Sequence, residues 1–230
     1  TESEQSTSTP CTAVVEETHS DNMFQLTPSA TAVDSIQYDN AFRMCFSDPN
    51  QGSASADYIA ENKLATKVAI IYNSSDTYSS GIYQTFATEA NAKGLDVVAA
   101  EAFTADNKTD FSVQIQKAKD AGAELVFLPI YYQEASLILA QANKAGFTPK
   151  WFGCDGMDGI LDLDGFDANL AEDLMFLTPF TANATDEATQ KFVADYKDAF
   201  GSTPIQFAAD AYDCVYVIKA AAEKEKCDTG

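Results

Sequence analysis

From Lys67 onward the chain alternates short apolar runs with longer amphipathic ones, and that beat limits the fold more than any other feature. Residues 67–72, 96–100, 124–130 and 150–153 read as strands. They are short, continuous and apolar, as strands buried on both faces of a parallel sheet are. Residues 77–94, 111–121 and 133–145 read as helices between them. Gly94 and Gly122 close the first two, and Gly146 takes the C′ position of the third. Within the third, Ala135, Ile138, Leu139 and Ala142 follow the i, i+3, i+4, i+7 spacing of a buried face. The repeat is close to a βαβ unit of about 30 residues. Right-handed crossovers in such units layer helices on both sheet faces. The fold class is therefore α/β.

The strand ends carry the polar chemistry. Residues 124–130 run straight into Tyr131, Tyr132 and Gln133. Residues 67–72 run into the hydroxyl-rich segment 73–81, which holds Tyr78, and residues 150–153 into Cys154, Asp155 and Gly156. In an open α/β sheet, ligands bind outside the carboxyl ends of the strands. In a parallel sheet these three loops share one edge. They offer hydroxyls, aromatic walls and a carboxylate, a set suited to a small zwitterion. The same residue types are common helix caps, so each loop alone reads equally as a cap.

Outside this core the pattern breaks. Residues 10–18 read as a helix, 23–26 as a strand ending in the polar turn 27–31, 41–46 as a strand and 53–61 as a helix. After residue 153 come an acidic irregular stretch and the apolar segment 174–180. Residues 186–200 read as a helix with Thr185 as N-cap and Gly201 as terminator. Residues 207–223 read as a last helix, with an apolar face at 207, 211, 215, 218 and 222. A sheet that begins and ends with helices implies that both ends of the fold are missing.

Composition excludes several functions. The formal charge is −21, from 35 acidic and 14 basic residues. That field opposes binding to nucleic acid or to an anionic membrane. No apolar run approaches the roughly 20 residues that cross a bilayer. The polar, acidic residues 1–5 carry no signal-peptide character. Cys11, Cys45, Cys154, Cys214 and Cys227 lack zinc-ligand spacing and read as small buried hydrophobes. The acidic stretch 155–167 fails the EF-hand pattern, since the glycine after Asp162 comes too early. His19, the single histidine, lies in a polar helix-end loop with no nucleophile signature. No phosphate-binding glycine motif occurs. The expectation is a chain without catalytic residues, cofactor or metal.

These segments, in this order, resemble the type I periplasmic binding proteins, specifically the branched-chain amino acid-binding components of ABC transporters. The resemblance rests on Ser8-Thr9-Pro10, Thr27-Pro28-Ser29-Ala30-Thr31, Phe42-Arg43, Asp48 with Gln51-Gly52, residues 67–72, Asp76-Thr77-Tyr78, Phe103-Thr104, Thr109-Asp110-Phe111, residues 128–132, Gly153-Cys154-Asp155-Gly156 and Ala209-Asp210-Ala211-Tyr212. It implies two parallel-sheet lobes with helices on both faces, closing on a ligand by a hinge. One lobe would be nearly complete and the other partial. The lobes would divide as 1–40, a partial N-terminal lobe, 41–176, the second α/β lobe, and 177–230, a return to the first. An apolar face of the partial lobe would then be uncovered.

By the same resemblance, Ser8 would bind a ligand carboxylate, and Ser29 and Thr31 would hold carboxylate and ammonium from the same lobe. Tyr78 and Tyr131 would come from the other lobe, with Tyr132 as the alternative to Tyr131. Asp155 would pair with the ammonium. The implied function is extracytoplasmic capture of leucine, isoleucine or valine by a monomer, periplasmic or a cell-surface lipoprotein, that delivers to an ABC-transporter permease. The competing reading of the same fold is a ligand-sensing domain of a receptor or regulator.

Overall fold

The computed structural model describes residues 6–225. Cys227 and the N-terminal residues 1–5 lie outside them. The chain divides into two compact units, residues 1–46 with 179–230, and residues 47–178.

The second unit contains α2 (Asp48–Glu61), β3 (Lys67–Asn73), α3 (Thr77–Ala92), β4 (Asp96–Phe103), α4 (Ser112–Asp120), β5 (Leu125–Leu128), α5 (Tyr132–Lys144), β6 (Lys150–Gly153) and β7 (Met175–Phe176). The strands form one parallel sheet in the order β4-β3-β5-β6-β7. The order reverses between β3 and β5. That switch point opens a crevice at the strands' carboxyl ends.

Strand alternation divides the core in two. Val68 and Ile70 of β3, Leu125 and Phe127 of β5 and Phe152 of β6 pack on one face with Ala56 and Ile59 of α2 and Ile82 and Phe86 of α3. Ala69, Ile71, Val126, Leu128 and Trp151 pack on the other with Ile115 of α4 and Ile138 and Leu139 of α5. All four residues of β5 are buried, which explains why its sequence does not alternate. The rings of Phe86 and Phe127 stack with centroids 3.9 Å apart. Losing either ring would cost about 3–5 kcal/mol.

The α2–α3 contact is unusually close, and glycine makes it so. A Cβ at Gly52 would lie 2.0 Å from Thr85 Oγ1 and 2.7 Å from the Phe86 nitrogen. A Cβ at Gly81 would lie 3.2 Å from Asp48 Oδ2. Glycine weakens a helix interior by about 1 kcal/mol. Here it lets two backbones approach. The helix begins at Asp48, capped by the Ser47 side chain, five residues ahead of the expected Ser53. Pro49 sits in the first turn, where proline needs no hydrogen-bond partner.

The first unit contains α1 (Ser8–Ser20), β1 (Gln25–Thr27), β2 (Ala41–Arg43), α6 (Glu187–Phe200) and α7 (Gln206–Glu225). β1 and β2 pair in parallel, Gln25 opposite Ala41 and Thr27 opposite Arg43. The first unit runs to Phe46, whereas the expected division came after residue 40. α6 is capped by Asp186, whose carboxylate accepts the Thr189 N–H at 2.8 Å, rather than by Thr185. The caps at Gly94, Gly122, Gly146 and Gly201 all have positive φ, as their placement after helices requires.

The apolar positions noted along α7 are not the ones that are buried. Gln206, Ala209 and Asp210 are buried, whereas Val215 and Ile218 are 64% and 46% exposed. The helix is apolar on more than one side, so periodicity alone did not select the face that packs.

Candidate functional site

The residues expected to bind ligand fall into two sets, one in each unit. In the second unit the set lies at the carboxyl ends of β3, β5 and β6. Tyr78 sits in the first turn of α3, capped by Asp76, whose carboxylate accepts the Ser79 N–H at 3.3 Å. Its ring is 1% exposed. Its hydroxyl donates to Asp155 Oδ1 at 2.8 Å and accepts from the Gly156 N–H at 3.0 Å. Burial, and then the Asp155 charge, push the Tyr78 phenol well above its ordinary range. It therefore remains a proton donor at any physiological pH.

Asp155 opens a short 3-10 turn directly after β6 and is buried. Its backbone N–H donates to Gln51 Oε1 at 3.1 Å. Gly156 cannot carry a side chain, because a Cβ there would lie 2.8 Å from both the Ile130 carbonyl and the Tyr78 hydroxyl. A buried carboxylate beside aromatic rings is a site for a cation that can be hydrogen-bonded and desolvated together.

Tyr131 is the N-cap residue of α5, and its ring stacks on Tyr78 with centroids 4.8 Å apart. It packs on the α2/α3 side of the sheet, whereas Tyr132 packs on the α4/α5 side. The structure thus brings Tyr131, not Tyr132, to Tyr78 and Asp155. Cys154 lies beneath them, fully buried, with its Sγ 4.0 Å from Ser55 Oγ. Burial and the neighbouring Asp155 charge raise that thiol well above its ordinary range.

In the first unit the set gathers at the N-terminus of α1. Ser8 is the first helical residue and is fully buried. Its Oγ accepts from the N–H groups of Thr31 at 3.1 Å and Ala32 at 3.0 Å, and lies 3.4 Å from Thr31 Oγ1. Thr27 Oγ1 accepts the Ala30 N–H at 3.1 Å. Arg43 Nη1 donates to the carbonyls of Thr31 and Ala32 at 2.9 and 3.0 Å. These bonds hold the 27–32 turn against the helix end. Backbone N–H groups at a helix N-terminus, with hydroxyls beside them, favour an anion such as a carboxylate.

Ser29 is buried and donates to Asp210 Oδ2 at 2.9 Å. Sequence reasoning did not single out Asp210 or Gln51 as site residues. Both stand in motifs that were legible, but only their long-range contacts connect them to Ser29 and Asp155. His19, by contrast, is exposed at the end of α1 and stacks on Tyr38 at 4.1 Å.

The family described as periplasmic binding protein matches residues 3–230. The Leu/Ile/Val-binding protein homolog 3 of Brucella melitensis is 30% identical over 207 residues, covering 88% of this chain and 54% of its own length. The leucine-, isoleucine-, valine-, threonine- and alanine-binding protein of Pseudomonas aeruginosa is 29% identical over 224 residues, covering 95% of this chain and 57% of its own. Among solved structures, the leucine-binding protein LivK of Thermotoga maritima superposes with a TM-score of 0.85 at 27% identity, covering 95% of this chain and 62% of its own. LivJ of Streptococcus pneumoniae, in complex with isoleucine, gives 0.85 at 27% identity over 94% of this chain and 62% of its own. The chain spans a little over half the length of the curated relatives it matches. On the family match and the shared α/β architecture, this chain belongs to the periplasmic binding protein family.

Proposed function

We propose that this chain is part of an extracytoplasmic solute-binding protein that captures an α-amino acid, with leucine, isoleucine or valine as ligand, for an ABC-transporter permease. The observation that carries the reading is Asp155: a buried carboxylate held in place by Tyr78 and walled by Tyr131. It suits the ammonium of a zwitterion. In the first unit, the α1 N-terminus with Ser8 and Thr31 suits a carboxylate. Tyr131 supplies apolar ring surface for a side chain. The relatives' names, and the isoleucine in one related structure, support the branched-chain class. The names also support an extracytoplasmic location and a permease partner.

Calorimetric titration of the full-length protein with a panel of amino acids tests this. Binding of leucine, isoleucine or valine in preference to glutamate and lysine is expected. Failure of every amino acid to bind sinks the reading.

A further inference from the structure

We infer that Gln51 is a positioning residue for the ammonium subsite, acting through Asp155; the inference rests on the amino-acid reading above. Gln51 is 1% exposed and lies in the first turns of α2. Among the described residues its side chain makes a single hydrogen bond, which reaches across more than a hundred residues: Oε1 accepts the Asp155 N–H at 3.1 Å. An N–H can only be accepted by the oxygen of the amide, so this bond fixes which way the amide is turned. Nε2 must then face away, and among the described residues it has no hydrogen-bond partner.

A buried donor without an acceptor is unfavourable, and natural proteins keep few of them. Leucine or methionine would fill the same volume without that cost. Glutamine at this position is explained by its oxygen, whose hydrogen bond among the described residues is to Asp155. The helices reinforce the point. Gly52 and Gly81 let α2 pack closely against α3. The two helices then grip adjacent residues. Gln51 holds the backbone of Asp155, and Tyr78 holds its carboxylate and the N–H of Gly156. With both ends of the aspartate fixed, its carboxylate is pre-oriented before a ligand arrives, and binding need not pay to order it.

The test is a double-mutant cycle in the full-length protein with Gln51→Leu and Asp155→Asn, read by calorimetry with L-leucine and with 4-methylpentanoate, which lacks the ammonium. If Gln51 acts through Asp155, Gln51→Leu weakens leucine about tenfold in the wild-type background and less than about twofold in the Asp155→Asn background. Binding of 4-methylpentanoate stays unchanged. A loss of equal size in both backgrounds, or for both ligands, means a general structural role and overturns the inference. So does undiminished leucine binding by Gln51→Leu. Wild-type protein that binds no amino acid overturns this inference and the reading beneath it together. Should Gln51→Leu fail to fold, Gln51→Glu keeps an oxygen opposite the Asp155 N–H while adding a second carboxyl near the first. Its leucine affinity should rise toward lower pH, where that carboxyl is neutral. A pH profile identical to wild type overturns the inference.

Discussion

The Tyr78 hydroxyl serves Asp155 twice: it donates to the Oδ1 carboxylate oxygen at 2.8 Å and accepts from the next backbone N–H, that of Gly156, at 3.0 Å. One phenol therefore fixes both the charge and the turn that carries it. Tyr78→Phe keeps the ring and its stack on Tyr131 but leaves a buried N–H unpaired and removes a donor from the carboxylate. Leaving such groups unsatisfied costs about 1–3 kcal/mol. The variant should fold with a lowered thermal midpoint, and amino-acid affinity should fall by about tenfold or more for a loss of this size. Calorimetry alongside thermal unfolding separates the two effects. Unchanged affinity would mean that Asp155 holds its orientation without the hydroxyl.

Ser8 offers a similar test in the other unit. Its Oγ accepts two backbone N–H groups, those of Thr31 and Ala32. Ser8→Ala orphans both, for a cost of about 1–3 kcal/mol each if water does not replace the oxygen. Denaturant unfolding should show a lower midpoint. Binding of a carboxylate ligand should weaken even at temperatures where the variant is fully folded. Ser8→Thr, which keeps the oxygen, should recover much of the loss.

Gly52→Ala is the smallest change expected to do large damage. The added methyl would meet Thr85 Oγ1 at 2.0 Å and the Phe86 nitrogen at 2.7 Å. The second contact is backbone and cannot rotate away. Overpacking of this kind costs about 1–3 kcal/mol, occasionally more, and outweighs the roughly 1 kcal/mol gained in helix propensity. Thermal unfolding should show net destabilisation. A stabilised variant would mean that α2 and α3 separate freely.

The Cys154 thiol should be inert in the native state. It is fully buried, and its ionisation is held well above the ordinary range by desolvation first and by the Asp155 charge second. Alkylation at neutral pH should spare it until denaturant is added, as checked by mass spectrometry of the labelled peptide. The sign of the pH effect follows. The folded thiol titrates at higher pH than the unfolded one, so its contribution to stability is complete below the unfolded value of about 8.5 and lost as pH rises above it. Tyr78 acts in the same direction from a higher starting point. Stability should therefore decline on the alkaline side, and Cys154→Ser should lessen that slope.

The fold of the second unit was legible because each of its elements repeats a local rule. Buried strands are short and continuous, helices end at glycine, and the order of the two is periodic. That the loops holding Tyr78, the Tyr131-Tyr132 pair and Asp155 lie together was legible for the same reason, since strand ends in a parallel sheet share an edge; which of the two tyrosines stacks on Tyr78 was not. What was not legible depends on distance. The start of α2 was hidden by Pro49 and Gly52, poor residues for a helix interior: the first stands in the opening turn, and the second is explained only by α3 packed against it. The role of Gln51 rests on one contact with a residue far along the chain. In α7 the periodic pattern fitted several faces, and only the neighbours of Ala209 and Asp210 decided among them. Thr185 and Asp186 are both good caps, and one residue of register separated them.

Tyr131 and Tyr132 look interchangeable as letters, yet the sheet sends one ring to each side of itself. Substitution at either position is a local event. A change of length is not. Deleting one residue between β5 and α5 would carry Tyr132 to Tyr78, inserting one would leave neither tyrosine there, and either would turn the buried residues of α5 away from their neighbours. Among natural variants of this protein, the turn after β5 should vary in composition long before it varies in length.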